Sequence, residues 1–311
     1  MLLRNAEIFC EVANCRSFSK AAAARGMSQP AISQAIQQLE EHLGVTLIDR
    51  SQRPLQLTPP GEAYFDGCRK LFSDYRLLED RVQNLSSKVT GRVRVAAIYS
   101  VGLLQMAEYV SRFEDRYPDV VLQLDYLHPD EVYERVNHDE ADVGLVSFPR
   151  DGGDIECIPW LDQVLGVVVA PNHRLANKTE IALSDLDGED FVAFTQDLRI
   201  RKELDRTLRK QKVSVNAVHQ FDNIENIKRA VEIGAGVSIL PLPTAKREID
   251  AGMLKALQLT GLKWHRPLGI VKRRHKHLST AASRFVDLLH EASGADDPWT
   301  KRAPAERAKA D

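Results

Sequence analysis

The sequence predicts an α+β chain in three parts: a three-helix head with a short hairpin, one long helix, and a two-lobed α/β domain. Three observations carry this. Short amphipathic segments divided by capping residues fill the first sixty positions. Apolar residues then recur in steps of four and three from Tyr64 to Val89. From Arg92 the pattern becomes strands alternating with helices. A length of 311 residues suits more than one core, and 43% hydrophobic with 28% charged residues is the balance of a globular chain.

The first helix is read from Leu2, Ala6, Phe9 and Ala13, which share one face. Ser17 is placed to cap a second helix through Lys20 and the alanines 21–24, and Gly26 can close it in a left-handed conformation. Ser28 then caps a third helix with Pro30 in its first turn, where a missing N–H costs little. Helix, tight turn, helix is a helix-turn-helix arrangement. The third helix divides into an apolar side, Ile32, Ile36, Leu39 and Leu43, and an opposite side carrying Gln29, Ser33 and Gln37, flanked by Pro30 and Gln34. Glutamine amides pair bidentately with adenine, serine hydroxyls reach base edges or phosphate, and a helix N-terminus favours phosphate. Ser28, Gln29, Pro30, Ser33, Gln34 and Gln37 are therefore the candidate DNA contacts.

Two short strands follow, Leu47–Arg50 and Leu55–Leu57, joined by Ser51-Gln52-Arg53-Pro54. Such a hairpin is a wing, and Arg50 and Arg53 are placed to meet phosphate or a narrow minor groove. Residues 1–60 carry six Lys or Arg against five Asp or Glu, a weak electrostatic footprint, so tight binding to a duplex needs two or more copies. This head is expected to span residues 1–58.

Thr58-Pro59 reads as an N-cap with proline at the first helical position, and the helix is expected to run over 59–90. Its stripe includes Leu71, Tyr75, Leu78, Val82 and Leu85, at a/d heptad spacing, while Arg76, Glu79, Asp80 and Arg81 cover other sides. A stripe of this kind on a lone helix calls for a second helix, here that of another copy. A homodimer would set two third helices on neighbouring major grooves.

These residues carry a family resemblance. The run from Ser17 to Gly44, with Leu47-Ile48-Asp49-Arg50 and Leu57-Thr58-Pro59-Pro60-Gly61, resembles the signature of LysR-type transcriptional regulators, and the likeness extends over nearly the whole chain. The resemblance implies a winged helix-turn-helix that binds promoter double-stranded DNA, dimerisation through the linker helix, and a homotetramer built as a dimer of dimers. It also implies promoter bending that a small-molecule effector adjusts, with RNA polymerase as a candidate further partner. Many relatives place a basic residue near Gln34 or Gln37; here both are glutamine, which shifts the expected phosphate contact toward the wing.

In the third part, strands are expected at Arg92–Ala97, Val120–Tyr126 and Val143–Val146, with a loop at 98–102, a helix through Phe113 and another over Pro129–His138. A second set has strands near Leu165–Ala170, Phe191–Phe194, Val215–Phe221 and Val237–Leu240, and helices near 198–211 and 224–233. Arg266–Val271 and a helix over 279–292 return to the first set. The effector-binding domain thus spans 91–292, with lobe I at about 91–161 and 266–292 and lobe II at about 162–265. Two lobes joined by two crossovers look like the periplasmic-binding-protein arrangement, which the family also has. The tail 293–311, rich in Ala, Asp, Lys and Pro, is expected to be disordered.

Ligands of open α/β sheets lie beyond the carboxyl ends of strands, where helices begin. That rule selects Tyr99, Ser100, Val101, Ser147, Phe148, Thr195 and Gln196: hydroxyls and an amide between aromatic walls, suited to a small anion or carboxylate. Asp197 and Asp222 read as helix caps, Arg199 and Arg201 as solvated helix charges, and the basic run 272–277 as a solvated loop.

Other classes find little support. The chain has no HExxH, GxSxG or P-loop motif, so no catalytic centre is expected, and no cofactor. Cys10, Cys15, Cys68 and Cys157 form no CxxC pair, so neither a zinc site nor a disulfide framework is expected. A solute-binding protein would share the lobes but needs an export signal and no recognition helix. The charged N-terminus lacks the apolar core of such a signal and no apolar run could span a bilayer, so a cytoplasmic location without membrane contact is expected.

Overall fold

The computed structural model describes residues 2–83, 88–274, 276–291 and 298–303, in two compact units divided after Gln83. The first unit orders α1 (Leu2–Cys15), α2 (Phe18–Arg25), α3 (Gln29–Leu43), β1 (Ile48–Asp49), β2 (Gln56–Leu57) and α4 (Pro59–Gln83). Local chemistry explains the boundaries. The Ser17 hydroxyl accepts from the Lys20 N–H, and the Ser28 hydroxyl from the Ala31 N–H. Gly26 closes α2 at φ 62°, where its N–H bonds back to the carbonyls of Ala22 and Ala23.

The head packs Ile8, Phe9 and Val12 of α1 against Ala21, Ala22, Ile32, Ile36, Leu39, Leu47 and Ile48. The buried face of α1 thus centres on Ile8 and Val12 beside Phe9, and Ala13 is only half-buried. Leu43, expected on the apolar side of α3, lies at its exposed end. The hairpin is shorter than expected, pairing Ile48 with Leu57 and Asp49 with Gln56. Thr58 caps α4, accepting from the Gly61 N–H at 3.1 Å.

The second unit orders β3 (Gly91–Ile98), α5 (Tyr99–Arg116), β4 (Val120–Leu127), α6 (Pro129–Asn137), β5 (Val143–Ser147), β6 (Ile155–Val169), β7 (Glu180–Ile181), β8 (Asp190–Phe194) and α7 (Arg199–Lys210). It continues with β9 (Asn216–Phe221), α8 (Ile224–Glu232), β10 (Ser238–Pro241), α9 (Lys246–Asp250), β11 (Lys255–Leu259), β12 (His265–Arg273), α10 (Thr280–Glu291) and β13 (Thr300–Arg302). The main sheet runs β4-β3-β5-β12-β6-β11-β7, with β10 and β13 also on β6, and β8 pairs β9 apart from it. Pairing is parallel within β4-β3-β5 and within β8-β9, but antiparallel where β12 meets β5 and β6.

Two cores flank this sheet. One gathers Val93, Val95, Phe113, Val132, Leu145, Trp160, Ile270 and Phe285; the other gathers Val167, Leu186, Phe191, Leu204, Ile227, Ile239 and Leu257. β6 contributes Leu161 to the first and Leu165 to the second, and β12 with the residue before it contributes Leu268 to the first and Trp264 to the second. Both strands therefore pass from one lobe into the other.

Two sequence expectations are corrected. Residues 98–102, expected as a loop, include the first turn of α5. Gly102 misleads there: it stands in a helix because a Cβ would lie 2.0 Å from the Tyr126 ring. Within the tail expected to be disordered, Thr300–Arg302 is a strand on β6.

Candidate functional site

In the head, Ser28, Gln29, Pro30, Gln34 and Gln37 are exposed along α3, and Ser33 is half-buried. Ser28 is the cap, Gln29 accepts from the Ser19 hydroxyl at 3.3 Å, and the Gln37 amide donates to Glu41 at 2.9 Å. All but one of the α3 candidates are thus accessible together, and none of them is charged. Arg53 is exposed at the hairpin tip. Arg50 is turned back toward the protein: its Nη2 lies 3.0 Å from Glu40, and its guanidinium sits 5.6 Å from the Phe18 ring centre. Glu40 is the residue that sequence reasoning missed. Its carboxylate also accepts from the N–H groups of Leu47 and Ile48 at 2.8 and 3.2 Å, tying α3 to β1.

On α4, Leu71, Tyr75, Leu78 and Val82 are 50–60% exposed, an unusual state for four large apolar side chains in one row. Leu85 lies outside the described residues. Tyr64 and Cys68, read as part of the same stripe, instead pack into the head. Val89 lies beyond α4 and packs against the first lobe core.

In the second unit, a cavity of about 280 Å³ opens where β3, β5, β8 and β9 end. Tyr99, Ser100 and Ser147 line it as expected. Val101, Phe148, Thr195 and Gln196 do not. Val101 is fully buried in the first core, and Phe148, at φ 47°, packs against the second. Thr195 and Gln196 precede the turn residue that does line the cavity, Asp197. Asp222 lines it too, but the cap of α8 is Asn223, which accepts from the Asn226 N–H.

The group that dominates the cavity chemistry is Arg266, read from sequence only as the start of a strand. It is 2% exposed, and both Nε and Nη2 donate to Gln163 Oε1, at 3.0 and 2.7 Å. Its Nη1 donates to Ser100 Oγ at 3.0 Å. Among the described residues no carboxylate pairs with it. Burial pushes its pKa down to about 9, which leaves it a cation at neutral pH. Ser100 accepts from the arginine and so keeps its own proton for a ligand. α5, α6 and α7 begin at the cavity wall without a side-chain cap, so no capping side chain occupies their first-turn N–H groups, of which α6 has one fewer because it starts at Pro129.

Three further polar groups surround it. Arg199 donates to the Phe148 carbonyl at 2.5 Å, joining lobe II to lobe I, and His128 Nε2 lies 3.0 Å from Asp197 across the same boundary. Arg150 lies 5.8 Å over the Tyr133 ring. Arg201 faces Asp205 and the Phe194 carbonyl and does not line the cavity. The basic run is pinned rather than solvated: Lys272 pairs Glu156, Arg273 pairs Asp139, Arg274 pairs Asp151, and Lys276 pairs Asp139 and Asp142.

Among the described residues no helix is long and apolar enough to cross a membrane, and no cluster of His, Cys, Asp and Glu could hold a metal ion.

Comparison with known proteins agrees with these features. Residues 3–62 match the model for the bacterial regulatory helix-turn-helix protein of the lysR family, and residues 86–294 match the LysR substrate binding domain. The RuBisCO operon transcriptional regulator of Allochromatium vinosum is 28% identical over 94% of this chain and 96% of its own. The transcriptional activator CmpR of Synechocystis is 27% identical over 92% of this chain and 94% of its own. A full-length OxyR variant from Pseudomonas aeruginosa shares the fold at a TM-score of 0.73 and 20% identity, covering 94% of each chain. Regulators of this kind bind DNA and small-molecule effectors, act as oligomers and are not enzymes. With both family models matched in order along it, the chain belongs to the LysR family of transcriptional regulators.

Proposed function

We propose that this DNA-binding regulator reads promoter DNA as a homodimer and takes a small anionic metabolite in the cavity at Arg266 as its effector. The DNA contacts are Ser28, Gln29, Pro30, Ser33, Gln34 and Gln37 on α3, with Arg53 at the hairpin tip; Arg50 joins them only on leaving Glu40. Dimerisation is through Leu71, Tyr75, Leu78 and Val82, and a dimer of dimers, RNA polymerase contact and a cytoplasmic location complete the reading.

The single observation that carries the effector reading is a buried guanidinium on the cavity wall with only neutral partners. Removing a cation from water costs several kcal/mol, roughly, unless an opposite charge compensates. A ligand carboxylate or oxyanion supplies that charge, with Ser100, Ser147 and the first turn of α5 as further donors. Tyr99 and Tyr133 on the same wall favour an aromatic carboxylate as the second reading.

The test is a thermal-shift titration with sulfate, phosphate, and aliphatic and aromatic carboxylates, run on the native protein and on Arg266→Gln. At least one anion should raise the melting temperature of the native protein only, while both proteins bind promoter DNA alike. A response that survives Arg266→Gln removes arginine as the anchor.

A further inference from the structure

The last described segment adds a strand at the place where the two lobes join. β6 and β12 pair side by side at the crossing, Arg266 opposite Gln163 and Leu268 opposite Leu161. On the other edge of β6, β13 pairs with the same stretch: Thr300 opposite Gln163, Lys301 opposite Asp162 and Arg302 opposite Leu161. Backbone bonds extend this ladder at both ends. The Val164 N–H donates to the Trp299 carbonyl at 2.8 Å, and the Ala303 N–H to the Trp160 carbonyl at 3.1 Å. The crossing is therefore a three-stranded band, and its third strand lies beyond residue 294, where the match to the substrate-binding model stops.

The side chains of this segment grip both lobes. Trp299 packs against the lobe II core, with Lys246 Nζ 6.0 Å from its ring centre. Arg302 donates to the carbonyl of His290 in α10, a helix of the lobe I core. The middle of the band is Gln163, fully buried, whose Oε1 receives both bonds from Arg266 and whose Nε2 has no hydrogen-bond partner among the described residues.

We propose that residues 298–303 form a splint that sets the opening between the lobes and holds Gln163, and through it Arg266, in the geometry that an effector meets. Two antiparallel strands twist readily about their common axis, whereas a third strand tied to both lobes opposes that motion. Trp299 and Arg302 are thus positioning residues rather than ligand contacts. The effector part of this inference rests on the anion reading of the cavity; the mechanical part does not.

The experiment compares the full chain, a chain ending at Asp297, a chain ending at Ala303, and Trp299→Ala. Its readouts are amide hydrogen exchange over residues 265–268, which pair with β6 and not with β13, and exchange of the Arg266 Nε–H in arginine-labelled protein. Ending the chain at Asp297 should speed both at least tenfold, Trp299→Ala should speed both several-fold, and ending at Ala303 should change neither. Unchanged exchange at 265–268 and at Arg266 in Trp299→Ala and in the shorter chain overturns the splint. If exchange quickens as expected while the anion response survives Arg266→Gln, the splint stands and the effector reading fails.

Discussion

Charge drawn below the surface of the second unit takes two forms, a half-buried structural pair and a buried arginine at the candidate effector cavity. Arg94 and Asp142 are bonded at 2.8 Å, and a second bond runs from the Arg94 N–H to the same carboxylate at 2.9 Å. Burial alone would push the Asp142 carboxyl up, but Arg94, with Lys276 beside it, holds it below its ordinary value of 3.8. A carboxyl with a lowered folded pKa contributes stability that is fully present above its unfolded pKa and is lost as pH falls through the folded one. The native protein should therefore lose part of its stability below about pH 4, and Asp142→Asn should lose about 3 kcal/mol at neutral pH and flatten that acid limb. Urea unfolding from pH 2 to 7 checks both. Arg266 has the opposite character, since its partners are neutral and, on the proposed reading, its charge is left for the effector. Neither arrangement is legible in sequence. Arg94 and Asp142 are 48 residues apart, and Gln163 and Arg266 are 103, so no local pattern links them.

At the scale of elements, what was legible is what short-range chemistry decides. Ser17, Ser28 and Thr58 cap helices, and Gly26 ends one, because each acts on an N–H or carbonyl within a few residues. The strand ends were also legible, and three of the seven residues chosen there line the cavity. The remainder depended on side-chain direction: Val101 follows α5 into the core, and Phe148 turns at positive φ toward lobe II. β13 was hidden because three residues on the edge of a strand need neither an apolar run nor alternation. The joint between α3 and the hairpin shows how much one such contact carries. Glu40 accepts two backbone N–H groups of the hairpin side and holds Arg50, with a side chain only 14% exposed. Glu40→Ala should cost about 2 kcal/mol of head stability and release Arg50, because charged acceptors contribute more than neutral ones. DNA affinity measured by fluorescence anisotropy should then rise for every sequence alike, with base preference kept, since the freed Arg50 can meet phosphate and α3 itself is unaltered. A loss confined to particular base substitutions would place Glu40 in base readout instead.

For the whole molecule, the decisive quantity is the number of heads on one duplex. Residues 1–60 carry an excess of one positive charge, too few for a single head to hold DNA at moderate salt, since phosphate neutralisation supplies most of the affinity of such contacts. Avidity from two linked heads raises affinity by about 10²–10⁴ without any new contact. On the proposed reading the row Leu71, Tyr75, Leu78 and Val82 is the link, because its exposure in one chain is apolar surface that a second helix can remove from water. Burying one leucine contributes about 2 kcal/mol, and a two-fold interface uses each position twice. Leu78→Asp should therefore weaken the dimer by about 4 kcal/mol, roughly a thousandfold in dissociation constant. Sedimentation velocity at micromolar protein should show monomer, and the promoter complex should be lost over the same concentration range. The thermal shift from an anion at Arg266 should persist, since that cavity is built wholly from the second unit. A Leu78→Asp protein that still sediments as a dimer moves the interface off α4, and one that is monomeric yet binds the promoter undiminished removes the need for two heads.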